Sequence, residues 1–184
     1  NLGKVNMKRK IYDQLLQWKN EKNGTTALMI EGARRIGKSY IVEKFAENEY
    51  ESYILIDFSK APARVRGWFD EYLEDIDTLL QNIQLHYKKK LTRRKSLIIF
   101  DEVQKCPKAR EAIKYLVKDH RYDYIETGSL LSIKKNTDNI VIPSEETRIT
   151  MYPMDYEEFR WALGDEVTVP LLRESFEARR PFGD

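Results

Sequence analysis

The stretch Gly32-Ala33-Arg34-Arg35-Ile36-Gly37-Lys38-Ser39 decides the fold of this chain, because it matches the pattern G-x-x-x-x-G-K-[ST] at every position. A short apolar run over residues 25–31 precedes it, and a helix over about residues 38–46 is expected to follow. Between a strand and a helix, the backbone N–H groups of such a loop and the positive end of the helix bind phosphate. The sequence therefore predicts a phosphate-binding loop.

Two side chains of this loop have chemical roles that the motif predicts. Lys38 would reach the β- and γ-phosphates of a nucleotide, and the Ser39 hydroxyl would ligate Mg²⁺. Arg34 and Arg35 add two positive charges, which either contact a phosphate or a partner subunit or simply extend into solvent. The residues expected to bind the nucleotide are consecutive: Gly32, Ala33, Arg34, Arg35, Ile36, Gly37, Lys38, Ser39 and Tyr40.

A pair of acids ends a later apolar run. Residues 97–100 read Leu-Ile-Ile-Phe, and Asp101 and Glu102 follow directly. At the carboxyl end of a strand beside the phosphate loop, Asp101 would hold the magnesium shell and Glu102 would polarise an attacking water. Two acids that begin a surface loop are the alternative. With a complete phosphate loop in the same chain we favour catalysis, with Lys38 and Glu102 as catalytic residues and Ser39 and Asp101 as metal ligands.

Apolar runs and helical periodicity alternate along the chain. The final helix of the core shows a capping-box pattern at Asp155 and Glu158, closed by Gly164. The alternation predicts a three-layer α/β fold with a mostly parallel five-stranded sheet. Strands are expected at residues 25–31, 52–58, 96–100, 122–127 and 148–152, with a further strand piece at 139–142. Further helices are expected near residues 7–22, at 68–83 as the longest helix, from Pro107, and at 171–179.

Composition excludes several classes of protein. The 184 residues are 41% hydrophobic with eight Gly and six Pro, so the chain should fold as one compact domain. The 32 basic and 30 acidic residues nearly cancel, which demands neither a nucleic-acid nor a membrane partner. Cys106 cannot form an internal disulfide, and with two His it is too sparse for a zinc cage. A single cysteine suits the reducing cytoplasm, and no apolar run is long enough to span a membrane, so we expect a soluble cytoplasmic chain.

Beyond these motifs the sequence resembles the prokaryotic AAA-plus-type ATPases that usually carry a C-terminal domain of unknown function. The resemblance covers about residues 8–164 and rests on four segments: GARRIGKS at 32–39, LIIFDEVQKCPKAREAIKYL at 97–116, YIETGSLL at 124–131 and MYPMDYEEF at 151–159. It implies a P-loop NTPase with Walker A and Walker B motifs, ATP and Mg²⁺ as ligands, and hydrolysis of ATP. Asp101, Glu102 and Gln104 match its D-E-x-Q signature, and Gly128 and Ser129 match its T-G-S step.

The same resemblance implies a sensor residue between the acids and the γ-phosphate. Thr127 and Ser129 are both candidates, and a simple Thr-Gly-Ser turn is the alternative. Many family members place a Gly-Arg pair before the fifth strand, whereas this chain has residues 143–146 of sequence Pro-Ser-Glu-Glu. Arg148 is the remaining candidate for an arginine that acts across a subunit interface, so a homo-oligomer stays an open expectation.

The domain plan follows from the resemblance. We expect an N-terminal helix over about residues 7–22, an ATP-binding AAA-plus-like core over 8–164, and the start of a following, truncated segment at 165–184. The helical lid and its sensor-2 arginine would be absent, and additional C-terminal domains would follow in a longer protein.

Two alternatives to a hydrolysing ATPase remain at this level. One is a regulatory switch or scaffold that binds ATP with little turnover. The other is the motor of a DNA-processing protein, which depends on the basic run at residues 88–95. For that run we favour a solvated loop that complements the dipole of the preceding helix.

Overall fold

The structure, a computed structural model, describes residues 8–129 and 145–178 as a three-layer α/β fold with a five-stranded parallel sheet. The strands in the described residues are β1 (Ala27–Glu31), β2 (Ser52–Asp57), β3 (Ser96–Asp101), β4 (Asp123–Gly128) and β5 (Glu146–Thr150). The α-helices are α1 (Ile11–Lys22), α2 (Lys38–Glu49), α3 (Ala63–Glu71), α4 (Ile76–Tyr87), α5 (Pro107–Asp119), α6 (Tyr156–Ala162) and α7 (Thr168–Glu177). A short 3₁₀ turn over Val103–Lys105 follows β3.

The order of the strands places β1, and the phosphate loop that follows it, inside the sheet rather than at its edge. The order is β2-β3-β4-β1-β5, and every neighbouring pair is parallel. Strand β1 lies between β4 and β5, with Leu28 in register with Ile125 on one side and with Thr147 on the other. Parallel strands present their carboxyl ends at one edge, so the residues that follow β1, β3 and β4 meet there.

Two hydrophobic cores cover the two faces of the sheet, and alternation along β1 divides its side chains between them. Leu28 and Ile30 pack with α1 and α2, whereas Ala27 and Met29 pack with α3, α4 and α5. All four side chains are fully buried. The expected strand buried on both faces is confirmed, and so is the predicted three-layer fold.

The long helix predicted over residues 68–83 is wrong in one respect, because the structure divides this stretch into α3 and α4. Asp75 begins α4: its carboxylate accepts hydrogen bonds from the Thr78 backbone N–H at 3.1 Å and the Thr78 hydroxyl at 2.6 Å. An Asp at this position stabilises a new helix start by about 1 kcal/mol. The apolar spacing across both helices hid this capping signal.

The C-terminal part of the core agrees with the predicted capping box. Asp155 accepts from the Glu158 backbone N–H at 2.8 Å, and the Glu158 carboxylate accepts from the Asp155 backbone N–H at 3.1 Å. Gly164 follows α6 with φ +81°. The helix expected from residue 171 begins earlier, at Thr168. The expected strand piece at 139–142 lies outside the described residues, and within those described no helix has the length and apolar character needed to cross a bilayer.

Candidate functional site

The predicted site assembles at the carboxyl edge of β1, β3 and β4. Glu31 ends β1 in register with Gly128 of β4, and the Gly32 N–H donates to the Gly128 carbonyl at 3.3 Å. Asp101 ends β3, and β3 pairs with the side of β4 that faces away from β1. The phosphate loop and the acid pair, far apart in sequence, are therefore neighbours across β4.

The backbone of the phosphate loop needs its glycines. Gly37 has φ +93°, a conformation that residues with a side chain rarely adopt. At Gly32 a Cβ atom would lie 2.5 Å from the carbonyl oxygen of Met151, the residue directly after β5. This close approach to a backbone atom leaves room for no side chain. The Arg35 backbone also lies in the left-handed region, with φ +62°.

Lys38 begins α2 and folds back over the loop. Its Nζ donates to the carbonyl of Gly32 at 3.1 Å and to that of Ala33 at 2.5 Å, and only 5% of the residue is exposed. Burial lowers the pKa of Lys38, while the negative charges of Glu102 and Asp101 oppose this shift. The ammonium group thus donates to two carbonyl oxygens, and two nearby carboxylates favour its charged form.

Three oxygen atoms meet at Asp101. The Ser39 hydroxyl donates to Asp101 Oδ1 at 2.7 Å, and the Thr127 hydroxyl donates to the same atom at 2.5 Å. Asp101 is 7% exposed and Thr127 fully buried. The two residues predicted as metal ligands, and one of the two sensor candidates, are therefore in direct contact.

This oxygen set fits a magnesium ion held together with nucleotide phosphates. Mg²⁺ prefers oxygen ligands and usually keeps several waters, so one carboxylate and one hydroxyl suffice from the protein. No cluster of three or more His, Cys, Asp or Glu that could hold a metal occurs in the part of the chain that the structure describes.

Glu102 directly follows β3 and is half-buried. Its φ of +54° is uncommon for a residue with a side chain. Two contacts fix it: its backbone N–H donates to the Thr127 hydroxyl at 3.1 Å, and Gln104 Nε2 donates to its carboxylate at 2.5 Å. Gln104, which matches the last position of the D-E-x-Q signature, therefore helps to orient the Glu102 side chain.

Asp57, which ends β2, and the candidates Ser129 and Arg148 have different surroundings. The Asp57 carboxylate caps the turn after β2, accepting from the Ser59 N–H at 2.9 Å and the Ser59 hydroxyl at 2.5 Å. Ser129 is buried one residue beyond β4. Arg148 approaches Glu31 at 3.3 Å. Arg148 also lies 3.6 Å from Glu146, and it would have to leave both partners before it could act on a second subunit.

The outer residues of the loop are open to solvent. Arg34 and Arg35 are exposed, and neither forms an ion pair with any residue among those described. Tyr40 is 37% exposed on the first turn of α2. The backbone and Lys38 form the inner part of the predicted nucleotide site, and these three side chains form its outer part.

Sequence reasoning missed two residues beside the site. Arg9 is buried before α1 and donates to the Ile36 carbonyl of the phosphate loop at 3.0 Å. Glu126 is fully buried on β4, next to Thr127. No pattern in a single sequence marked Arg9. The acid within the run Tyr-Ile-Glu-Thr, which otherwise suits a buried strand, was a visible signal for Glu126.

No curated protein matches this chain significantly. Among solved structures it is similar to that of C. elegans PCH-2, with 14% sequence identity and a TM-score of 0.41 over 90% of this chain. The chain spans 44% of the length of that protein chain. A family profile described as AAA domain matches residues 24–160, well over half of the sequence. The chain therefore belongs to the AAA domain family.

Proposed function

We propose that this AAA domain binds ATP with Mg²⁺ and hydrolyses it. Membership of the family supports a nucleotide-binding, ATPase-type function. The observation that carries the proposal is the contact of Ser39 and Thr127 with one oxygen of Asp101, beside a complete phosphate loop. Each of these residues has the type and position that phosphoryl transfer needs.

The chain's own residues would divide the work as follows. The loop N–H groups and Lys38 hold the β- and γ-phosphates, with Lys38 exchanging its two carbonyl partners for phosphate oxygens. Ser39 and Asp101 hold the magnesium ion, which when bound neutralises charge on the phosphates. Glu102, held by Gln104, accepts a proton from the attacking water. Thr127 keeps Asp101 and the Glu102 backbone in fixed positions, and Ser129 is the second sensor candidate.

The variant Lys38→Ala tests the phosphate-binding assignment. Removal of the ammonium group takes away the positive charge expected at the β- and γ-phosphates, so affinity for ATP should fall by at least about 100-fold. Isothermal titration calorimetry measures the affinity for ATP. The control is Lys44→Ala, which removes another lysine ammonium group further along α2. Unchanged affinity of Lys38→Ala would refute the assignment.

The variant Glu102→Gln tests hydrolysis separately from binding. The amide keeps the shape of the side chain but cannot accept the proton, so ATP should still bind while turnover falls by about 100-fold or more. Phosphate release is measured beside the exposed control Glu21→Gln. A wild-type protein that binds ATP and releases no phosphate would instead support the regulatory switch or scaffold.

We propose further that the domain works within a longer, cytoplasmic prokaryotic protein. The resemblance of its motifs supports this, and so does the surface of the last helices. Helix α7 has no buried residue, and Phe176 is 85% exposed. In this proposal residues 8–164 form the ATPase core, residues 165–184 begin the connection to C-terminal domains, and subunits associate into a homo-oligomer. Phosphate release by the complete protein, compared with this chain, tests it.

A second candidate function, ATP-driven work on DNA, has one observation in its favour. In the run 88–95 only Arg94 has an ion-pair partner in the described chain, namely Asp123 at 2.8 Å. The remaining cations are exposed: Lys88, Lys89, Lys90, Arg93 and Lys95. DNA binding that weakens steeply with salt, and that disappears when these five are changed to Gln, would support this candidate.

A further inference from the structure

Arg9 is a buried arginine beside the phosphate loop that belongs to none of the recognised motifs. Only 6% of the surface of Arg9 is exposed. The guanidinium donates to the carbonyl of Ile36 at 3.0 Å, to the carbonyl of Tyr152 at 2.8 Å and to Glu158 Oε2 at 2.9 Å. Burial of a charge is costly unless it is paired and hydrogen-bonded, and these contacts meet that condition with a fork of donors that a lysine lacks.

The contact with Ile36 controls the orientation of one peptide group in the loop. The bond between Ile36 and Gly37 is trans, so its carbonyl and its N–H point in opposite directions. Because Arg9 holds the Ile36 carbonyl, the Gly37 N–H is directed away from Arg9. Gly37 has φ +93° and rotates easily as a glycine. Arg9 supplies the restraint that the glycine itself does not provide.

Glu158 in turn holds Arg9 in place. Its Oε2 atom accepts from Arg9 Nε at 2.9 Å and from the Lys10 backbone N–H at 2.9 Å. Its Oε1 atom accepts from the Asp155 N–H in the capping box at 3.1 Å. Glu158 is 6% exposed. One carboxylate thereby joins the start of α6, the segment before α1 and, through Arg9, the phosphate loop.

We propose that Arg9 is a positioning residue for the phosphate loop, and that Glu158 fixes Arg9 for this task. The proposal rests on the proposed function, because the orientation of the Gly37 N–H matters for binding of nucleotide phosphate. Arg9 acts through the backbone of the loop and contacts no reacting atom. A purely structural arginine would stabilise the fold without a specific effect on the loop.

Amide exchange without nucleotide tests the restraint directly. Arg9→Lys keeps the positive charge but loses the fork of donors, so exchange of the amides in residues 32–39 should become about tenfold faster. The matched control is Arg94→Lys: Arg94 bonds Asp123 at 2.8 Å and the His120 carbonyl at 3.3 Å, at the opposite end of the sheet. It should leave exchange in residues 32–39 unchanged. Loop exchange equal to wild type in Arg9→Lys would overturn the proposal.

ATP affinity separates this proposal from the proposed function. The dissociation constant for ATP should rise about tenfold or more in Arg9→Lys and stay within about twofold of wild type in Arg94→Lys. The rate at saturating ATP should change less than KM. If wild type binds no ATP while Arg9→Lys still loosens the loop, the proposed function fails and the positioning role stands. If wild type binds ATP and Arg9→Lys matches it in affinity, the positioning role fails.

A second variant tests the proposal if Arg9→Lys folds poorly. The double change Arg9→Met with Glu158→Met removes both charges together and leaves no unpaired charge buried. It should show faster exchange in residues 32–39, with exchange in α5 unchanged. Protection of residues 32–39 at the wild-type level in this folded variant would also overturn the proposal.

Discussion

Asp101 shows how one side chain joins segments that are distant in sequence. Its Oδ1 atom accepts hydrogen bonds from Ser39 at the start of α2 and from Thr127 on β4. The Thr127 hydroxyl in turn accepts a hydrogen bond from the backbone N–H of Glu102 at 3.1 Å. The hydroxyl of Thr127 therefore orients the predicted metal ligand and the predicted catalytic base at once.

The variant Thr127→Val should slow turnover more than it weakens binding. Valine keeps the shape but removes both hydrogen bonds, so we expect kcat to fall about tenfold with KM changed by less than about threefold. Steady-state phosphate release measures both constants. Thr147→Val is the matched control, because the Thr147 hydroxyl pairs with Thr26 at 2.7 Å, away from the site. Equal kcat in the two variants would contradict the role given to Thr127.

Glu126 is a buried carboxyl group whose two oxygens have no hydrogen-bond partner among the residues that the structure describes. Burial, and secondly the charge of Glu146, raise the pKa of Glu126 well above its ordinary value, while Arg110 and Arg148 oppose this. Arg110 pairs with Glu146 at 3.1 Å, and Arg148 pairs with Glu31 at 3.3 Å. The neighbouring charges thus balance without Glu126, which favours its neutral, protonated form.

The free energy of unfolding should depend on pH through Glu126. The folded state retains this proton at pH values where the unfolded chain has released it, so stability falls as pH rises from about 4.5 toward the raised pKa. For one carboxyl group this loss of stability is at most about 1.4 kcal/mol for each pH unit. The variant Glu126→Gln should not show it. Urea unfolding between pH 5 and pH 8 measures it, with Glu21→Gln as the exposed control. Parallel pH profiles for wild type and Glu126→Gln would show that Glu126 is ionised.

At the scale of elements, sequence patterns located most of the strands and both halves of the predicted site. A run that is apolar throughout, such as 97–100, marks a strand buried on both faces, and the loop motif fixes which strand precedes it. Periodicity failed between α3 and α4, where Asp75 starts a new helix without interrupting the apolar spacing. Arg9 could not be predicted, because its partners are backbone carbonyls and a distant acid that only the tertiary fold brings together.

We expect opposite effects on stability from two Gly→Ala changes, one where the phosphate loop meets the end of β5 and one in α3. At Gly32 the new Cβ would lie 2.5 Å from the Met151 carbonyl oxygen, so we expect a loss of about 1–3 kcal/mol and weaker ATP binding. At Gly67, exposed within α3, an added Cβ would meet no neighbouring side chain within 4 Å in the described residues, and alanine should stabilise by about 0.5–1 kcal/mol. Urea unfolding compares them. Similar effects of both changes would show that Gly32 has more room than its contacts indicate.

At the scale of the whole molecule, the proposed ligand should stabilise the fold by mass action. Mg·ATP at about 100 times its dissociation constant should add about 2.7 kcal/mol, a rise of roughly 5–10 °C in Tm for a domain of this size. Removal of Mg²⁺ with EDTA should abolish most of this rise, and Lys38→Ala should show none. Thermal unfolding measures these shifts. An equal rise in wild type and Lys38→Ala would place the nucleotide outside the phosphate loop.

The strand order also bears on how the chain is made. Strand β1 is synthesised early, yet its two neighbours arrive much later: Leu28 pairs with Ile125, and Ala27 pairs with Glu146. A nascent chain that has emerged only through α2 carries the complete phosphate-loop motif without the strands that enclose it. Such long-range pairing is slow to form and leaves apolar segments exposed meanwhile. Because β1 lies between two strands that are synthesised later, the phosphate loop is enclosed only after the ribosome has added nearly all of the core.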